Sequence, residues 1–77
     1  MKFVFIVYTY IILQFCNRKW FKNGFIHRDN DKPAVEVNDD FNDRKEWWVD
    51  GYRHRLNGPA VIDKGREEWW INGHYIK

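Results

Sequence analysis

The 77-residue chain carries 13 Lys and Arg against 11 Asp and Glu, a formal net charge of +2, with 44% hydrophobic and 19% aromatic residues. That length holds one small domain, close to the lower limit at which a chain buries enough apolar surface to fold unaided, and the apolar content excludes a disordered chain. Interspersed charge signs argue against a dedicated basic stripe for nucleic acid, and a single cysteine, Cys16, excludes an intramolecular disulfide and a thiolate metal cluster.

The chain divides at residue 16 into an apolar N-terminal segment and a domain over 17–77. In "MKFVFIVYTYIILQFC" the only charge is Lys2. Phe, Val, Ile, Tyr and Thr favour extended chain, so the segment reads as an additional strand or a cover for the core. The same residues have the length of a secretory h-region or a membrane-interface segment, although no small-x-small cleavage pattern follows. As a spanning helix, about 14 residues at about 1.5 Å each give about 21 Å, short of the roughly 30 Å hydrocarbon core.

From residue 19 onward one phrase returns three times: Trp20-Phe21-Lys22-Asn23-Gly24, Trp47-Trp48-Val49-Asp50-Gly51 and Trp69-Trp70-Ile71-Asn72-Gly73. A second phrase returns twice, as "HRDNDKPAV" and "HRLNGPAV". Asn-Gly and Asp-Gly between β-branched and aromatic residues signal hairpins, because both central positions of a type I′ turn need positive φ. With Asn57-Gly58-Pro59 and Lys64-Gly65 as further turns, these signals predict an all-β antiparallel meander of short hairpins, about two and a half repeats long.

Pairing across the two-residue turns sets Val49 opposite Tyr52, Trp48 opposite Arg53, Asp63 opposite Arg66, Ile62 opposite Glu67 and Trp70 opposite Tyr75. Treating Asn57-Gly58-Pro59 as one more hairpin turn puts Leu56 opposite Ala60 and carries a single register through the second half. Strict alternation then sorts Trp47, Val49, Tyr52, His54, Leu56, Ala60, Ile62, Trp69, Ile71 and Ile76 to a core face. Glu67 and His74 join them as its polar members. Glu46, Trp48, Arg53, Arg55, Val61, Asp63, Arg66, Glu68, Trp70, Tyr75 and Lys77 fall on a wet face. A single sheet needs its apolar face covered, by residues 3–15, by a partner, by a second copy or by a membrane.

At "WWVDGYRHRLNGPAV" the chain resembles the tandem repeat W-x-x-N-G-x-x-H-R-x-x-G-P-A of large DNA viruses, phages and bacteria. It is similar to variant MORN (membrane occupation and recognition nexus) repeats. The resemblance covers residues 19–77; Lys32 stands where the first copy would have Gly, and His74-Tyr75-Ile76-Lys77 lacks the His-Arg pair, as suits a capping repeat. It implies a β-hairpin repeat sheet with a scaffolding or interaction role and brings no catalytic residues with it.

Residue chemistry leads the same way. His27 and His54 share a repeat position, but equivalent residues two strands apart lie about 10 Å apart, too far to share one metal ion. "DNDK" and "NDDFND" lack the glycine and distal glutamate of a calcium loop. There is no serine, no second cysteine and no Gly-rich phosphate loop. Catalytic residues, a metal, a cofactor and a small-molecule substrate are therefore not expected. Trp48, Trp70 and Tyr75 beside Arg53, Arg55 and Arg66 are the candidate protein-binding surface, since aromatic and Arg side chains dominate interface hot spots. A protein partner or self-association is expected, nucleic acid is not, and a membrane remains open through residues 1–16. Cytoplasmic placement is favoured, in a host cell if the protein is viral, with membrane association or export as the alternative.

Overall fold

The computed structural model describes residues 9–14, 17–39 and 42–77. Their regular structure is β throughout, in eleven short strands: β1 (Thr9–Gln14), β2 (Asn17–Lys22), β3 (Phe25–Ile26), β4 (Val35–Asn38), β5 (Asp43–Glu46), β6 (Trp48–Val49), β7 (Tyr52–Arg53), β8 (Val61–Asp63), β9 (Arg66–Glu68), β10 (Trp70–Ile71) and β11 (His74–Tyr75). The main sheet runs β1-β2-β4-β5-β8-β9, with β3 added to β2, while β6-β7 and β10-β11 form two-stranded sheets of their own. Every pairing is antiparallel.

The turn residues dictate the local geometry. At Asn23-Gly24, Asp50-Gly51, Lys64-Gly65 and Asn72-Gly73 both residues have positive φ, near 50° then near 80°, as type I′ hairpins require. The expected pairs form across them: Trp48 with Arg53, Val49 with Tyr52, Asp63 with Arg66, Ile62 with Glu67 and Trp70 with Tyr75. Within the N-terminal segment, Thr9–Gln14 is the additional strand, pairing with β2 from Thr9–Lys22 to Gln14–Asn17. It extends the sheet at an edge. The remaining residues of that segment, and the signal or membrane-interface reading with them, lie outside the described residues.

The single register through Asn57-Gly58-Pro59 does not form. β7 pairs only with β6, and β8 crosses to β5, setting Glu46 opposite Val61 and Arg44 opposite Asp63. The chain changes sheet at Trp47: β5 before it belongs to the main sheet and β6 after it to the β6-β7 hairpin. The Trp47 amide donates to the Ala60 carbonyl, whereas its carbonyl accepts from the His54 amide, so one residue serves both sheets. Alternation of faces is interrupted at this corner. Val61, assigned by alternation to the wet face, is fully buried, and Glu46 is buried too, while Tyr52, Leu56 and Ile76 of the expected core face are exposed. Glu67 and His74 are likewise exposed.

Among the described residues the buried apolar core is Ala34, Val35, Trp47, Ala60 and Val61. No second layer packs on the sheet among the described residues, and arginines supply cover for its tryptophans. The Arg28 guanidinium lies 3.7 Å from the Trp20 ring centroid and Arg55 lies 3.9 Å from that of Trp47. Each also donates to a proline carbonyl, Arg28 to Pro33 at 3.1 Å and Arg55 to Pro59 at 3.2 Å. In the third copy Lys77 sits 5.0 Å above Trp69. Arg55 also folds over the buried Gly58, with Nη1 3.0 Å from where a Cβ would stand. Ala34 and Ala60, completely buried, donate their amides to the carbonyls of Glu46 and Glu68 and accept from the amides of Trp20 and Trp47.

The hairpins themselves interlock. The Gly51 amide donates to the Ile26 carbonyl at 2.9 Å, and Gly73 repeats this with Arg53 at 2.8 Å. One residue earlier, the Asp50 amide donates to His27 Nδ1 at 2.9 Å and the Asn72 amide to His54 Nδ1 at 3.0 Å. An aromatic ring of the preceding hairpin lies against each glycine: a Cβ on Gly51 would meet Phe25 at 3.1 Å, and one on Gly73 would meet Tyr52 at 2.9 Å.

Gly65 has the same left-handed φ as Gly73, but open space where its Cβ would go. Gly65→Ala is therefore expected to cost only the backbone term of about 1–2 kcal/mol. Gly73→Ala adds displacement of the Tyr52 ring, a further cost of about 1–3 kcal/mol. Urea unfolding midpoints of the two variants measure the difference; equal midpoints would contradict the ring contact.

Candidate protein-binding surface

The two-stranded sheets β6-β7 and β10-β11 carry Trp48, Arg53, Trp70 and Tyr75 on one side, because Trp48 pairs with Arg53 and Trp70 with Tyr75 at equivalent positions two residues from the turn. Arg53 stands between the indoles, 5.2 Å from the Trp48 centroid and 5.0 Å from that of Trp70. Trp70 meets Tyr75 edge-on at 5.3 Å. Trp48, Arg53 and Trp70 are half-buried and Tyr75 is 60% exposed. Together with Gly51, Tyr52 and Gly73 the pair of indoles and Arg53 frame a shallow cleft of about 230 Å³. That is smaller than the roughly 300–1,000 Å³ typical of small-molecule sites, whereas an aromatic and arginine surface of this kind is the usual content of a protein hot spot.

Beneath the surface lies Glu46, whose side chain is only 11% exposed. One carboxylate oxygen accepts from Trp48 Nε1 at 2.8 Å and lies 3.6 Å from Arg53 Nη2; the other accepts from Arg44. Arg44 in turn binds Asp63 at 2.8 Å. Glu46 thus fixes both an indole and the guanidinium beside it. Glu68 does the same for Trp70, accepting from its Nε1 at 2.9 Å. In the first copy Lys19 and Phe21 occupy these two positions, so a carboxylate is present in the copies with an indole N–H to receive and missing in the copy without one. The signal in the sequence was the repeated Glu-Trp-Trp triplet: residues i and i+2 of a strand share a face.

The other two candidate residues lie elsewhere. Arg55 is engaged internally, stacked on Trp47 and bound to Asp31 at 2.9 Å through Nε. Arg66 sits on β9 opposite Asp63, beside Asn42 and Lys64. The surface brought together is therefore Trp48, Arg53, Trp70 and Tyr75, with Tyr52 at its margin and Glu46 as its base. His27 and His54 lie in the junctions between hairpins, and His27 Nε2 also contacts Asp29 Oδ1 at 2.7 Å.

Burial pushes the Glu46 carboxyl up, but hydrogen bonds from Arg44 and Trp48 and the charges of Arg44 and Arg53 outweigh it, leaving the group below its ordinary value. A carboxylate with a depressed folded pKa contributes stability that is present above the unfolded value of about 4.3 and is lost as pH falls through the lower folded value. Glu46→Gln is expected to be less stable than the native chain at pH 7 by about 1–3 kcal/mol and to lose less stability below about pH 4.3. Urea titrations across that range, followed by tryptophan fluorescence, check both; parallel pH profiles would contradict the role of Glu46.

Comparison with protein-family models, with curated proteins and with solved structures finds no match to this chain.

Proposed function

We propose that this chain is a non-enzymatic protein-interaction module built from MORN-like β-hairpin repeats, of viral, phage or bacterial origin, with a host factor as a candidate partner. The observation that carries this reading is how the repeated residues are used. The tryptophan at the strand corner, the Asn/Asp-Gly turn, the His-Arg pair and the Pro-Ala pair are each engaged in packing or hydrogen bonding inside the sheet. Such use fits a scaffold whose repeated residues are architectural.

What the scaffold presents is the Trp48, Arg53, Trp70 and Tyr75 cluster. Its rings are held by Glu46, Glu68 and the hairpin ladders, so binding would order few side chains, and rigid aromatic contact area is what protein interfaces exploit. A net charge of only +2 favours a protein partner over the phosphate backbone of a nucleic acid.

A random peptide display library selected on the native chain tests this. Enriched peptides are expected to lose binding to Trp48→Ala/Trp70→Ala and to Tyr75→Ala, each variant keeping the native far-UV circular dichroism. Peptides that bind the double variant as well as the native chain would rule out this surface.

A further inference from the structure

Three asparagines of this chain precede glycine: Asn23, Asn57 and Asn72. That dipeptide is chemically labile, because a glycine amide has no side chain to hinder its attack on the preceding carboxamide. The glycine nitrogen bonds to the asparagine Cγ, ammonia leaves, and water opens the resulting succinimide ring to aspartate or isoaspartate. Solvent is the only co-reactant. The attack needs both residues free to rotate, so inside a fold its rate follows local opening.

The three sites are held very differently. At Asn72-Gly73 the attacking nitrogen is already engaged, donating to the Arg53 carbonyl at 2.8 Å, and the Asn72 amide donates to His54 Nδ1 at 3.0 Å. The Tyr52 ring lies on Gly73 besides, 2.9 Å from where a Cβ would stand. At Asn57-Gly58 the glycine is buried under the Arg55 guanidinium, and the Asn57 side chain is hydrogen-bonded to Asp31. Asn23 and Gly24, by contrast, are both exposed, with open space where a Gly24 Cβ would go. Among the described residues neither the Gly24 amide nor the Asn23 side chain makes a hydrogen bond. Backbone geometry does not separate the two turns: φ is 51° and 83° at Asn23-Gly24 against 48° and 80° at Asn72-Gly73. What separates them is anchoring.

We infer that Asn23 is a site of spontaneous covalent modification, the first of the three to pass through succinimide to aspartate and isoaspartate as the folded chain ages. Conversion replaces a neutral amide by a carboxylate and takes the formal net charge down by one from +2. Isoaspartate also routes the backbone through Cβ, adding a methylene to the two-residue turn that sets Lys22 opposite Phe25 and Phe21 opposite Ile26. Those trailing residues seat the next hairpin: the Phe25 ring lies on Gly51, and the Ile26 carbonyl accepts from the Gly51 amide. The modification therefore reaches past its own hairpin, loosening the junction at Asp50-Gly51 and leaving that at Asn72-Gly73 intact.

Peptide mapping by tandem mass spectrometry tests the inference, following the full native chain through storage in warm, mildly alkaline buffer beside the same chain in urea. In the native chain Asn23 is expected to convert at least about tenfold faster than Asn72 or Asn57, the factor that about two missing hydrogen bonds of ordinary strength confer on local opening. In urea the three rates should converge, since each asparagine precedes glycine. His54→Ala removes one anchor of the third turn and should bring Asn72 towards the rate of Asn23; if that variant fails to fold, the native and urea series decide the matter. In the isoaspartate form, separated by ion exchange, the Gly51 amide should exchange faster and the Gly73 amide as before. Native conversion led by Asn72 or Asn57, three indistinguishable native rates, a lead for Asn23 that persists in urea, or a folded chain that stays intact while the unfolded chain reacts would overturn the inference. So would an Asn72 rate unmoved in folded His54→Ala, and unchanged Gly51 exchange would overturn the reach to the next hairpin.

Discussion

Strands of two residues cannot hold themselves in water, and the structure depends on the contact that relieves this: the left-handed turn of one hairpin seated against the trailing strand of the hairpin before it. Asp50-Gly51 and Asn72-Gly73 each direct two successive amides backwards, one to a histidine Nδ1 and one to a carbonyl. The glycine leaves room for Phe25 or Tyr52 to lie on the turn. Three requirements therefore meet at one dipeptide: positive φ, the absence of a side chain and two inward donors. Because a backbone amide is the donor, Nδ1 is the accepting nitrogen of both imidazoles and the proton of the neutral ring sits on Nε2, where His27 meets Asp29.

With the hairpins fixed to one another, residues that resemble reactive chemistry acquire a structural use. The His-Arg pair supplies an acceptor for the next turn and a lid for its own tryptophan; the Pro-Ala pair supplies a carbonyl for that lid and a completely buried link between neighbouring strands. Glu46 continues this pattern at the exposed face, where one carboxylate orients an indole and a guanidinium together. Comparing the copies inside the chain acts as a natural double substitution, since carboxylate and indole N–H are exchanged together for Lys19 and Phe21.

Much of this was legible in the sequence wherever the controlling interaction is local. Asn/Asp-Gly turns, the pairs flanking them and the all-β class follow from φ preferences and short-range alternation, and so does the meeting of Trp48 with Arg53 and of Trp70 with Tyr75. What could not be read is where alternation stops. Trp47 divides its hydrogen bonds between Ala60 and His54, a choice made by residues 7 and 13 positions away, and every face assignment extended across it suffers. Val61 and Glu46 moved inward, Tyr52 and Leu56 outward, Arg55 onto Trp47 and Arg66 away from the aromatic cluster. The arginine lids were equally hidden, because a stacked guanidinium and a solvated one look alike in a sequence.

Amide hydrogen exchange measured residue by residue in the native chain and in His54→Ala tests the interlocking turns most directly. The amides of Asp50, Gly51, Asn72 and Gly73 should be protected to a degree comparable with those of the main sheet, despite their place in hairpin turns. In His54→Ala the Asn72 amide should lose its protection while Asp50, held by His27, keeps its own. Turn amides that exchange like free, solvated backbone in the native chain would contradict the interlock, and with it the packing on which the rest of the fold rests.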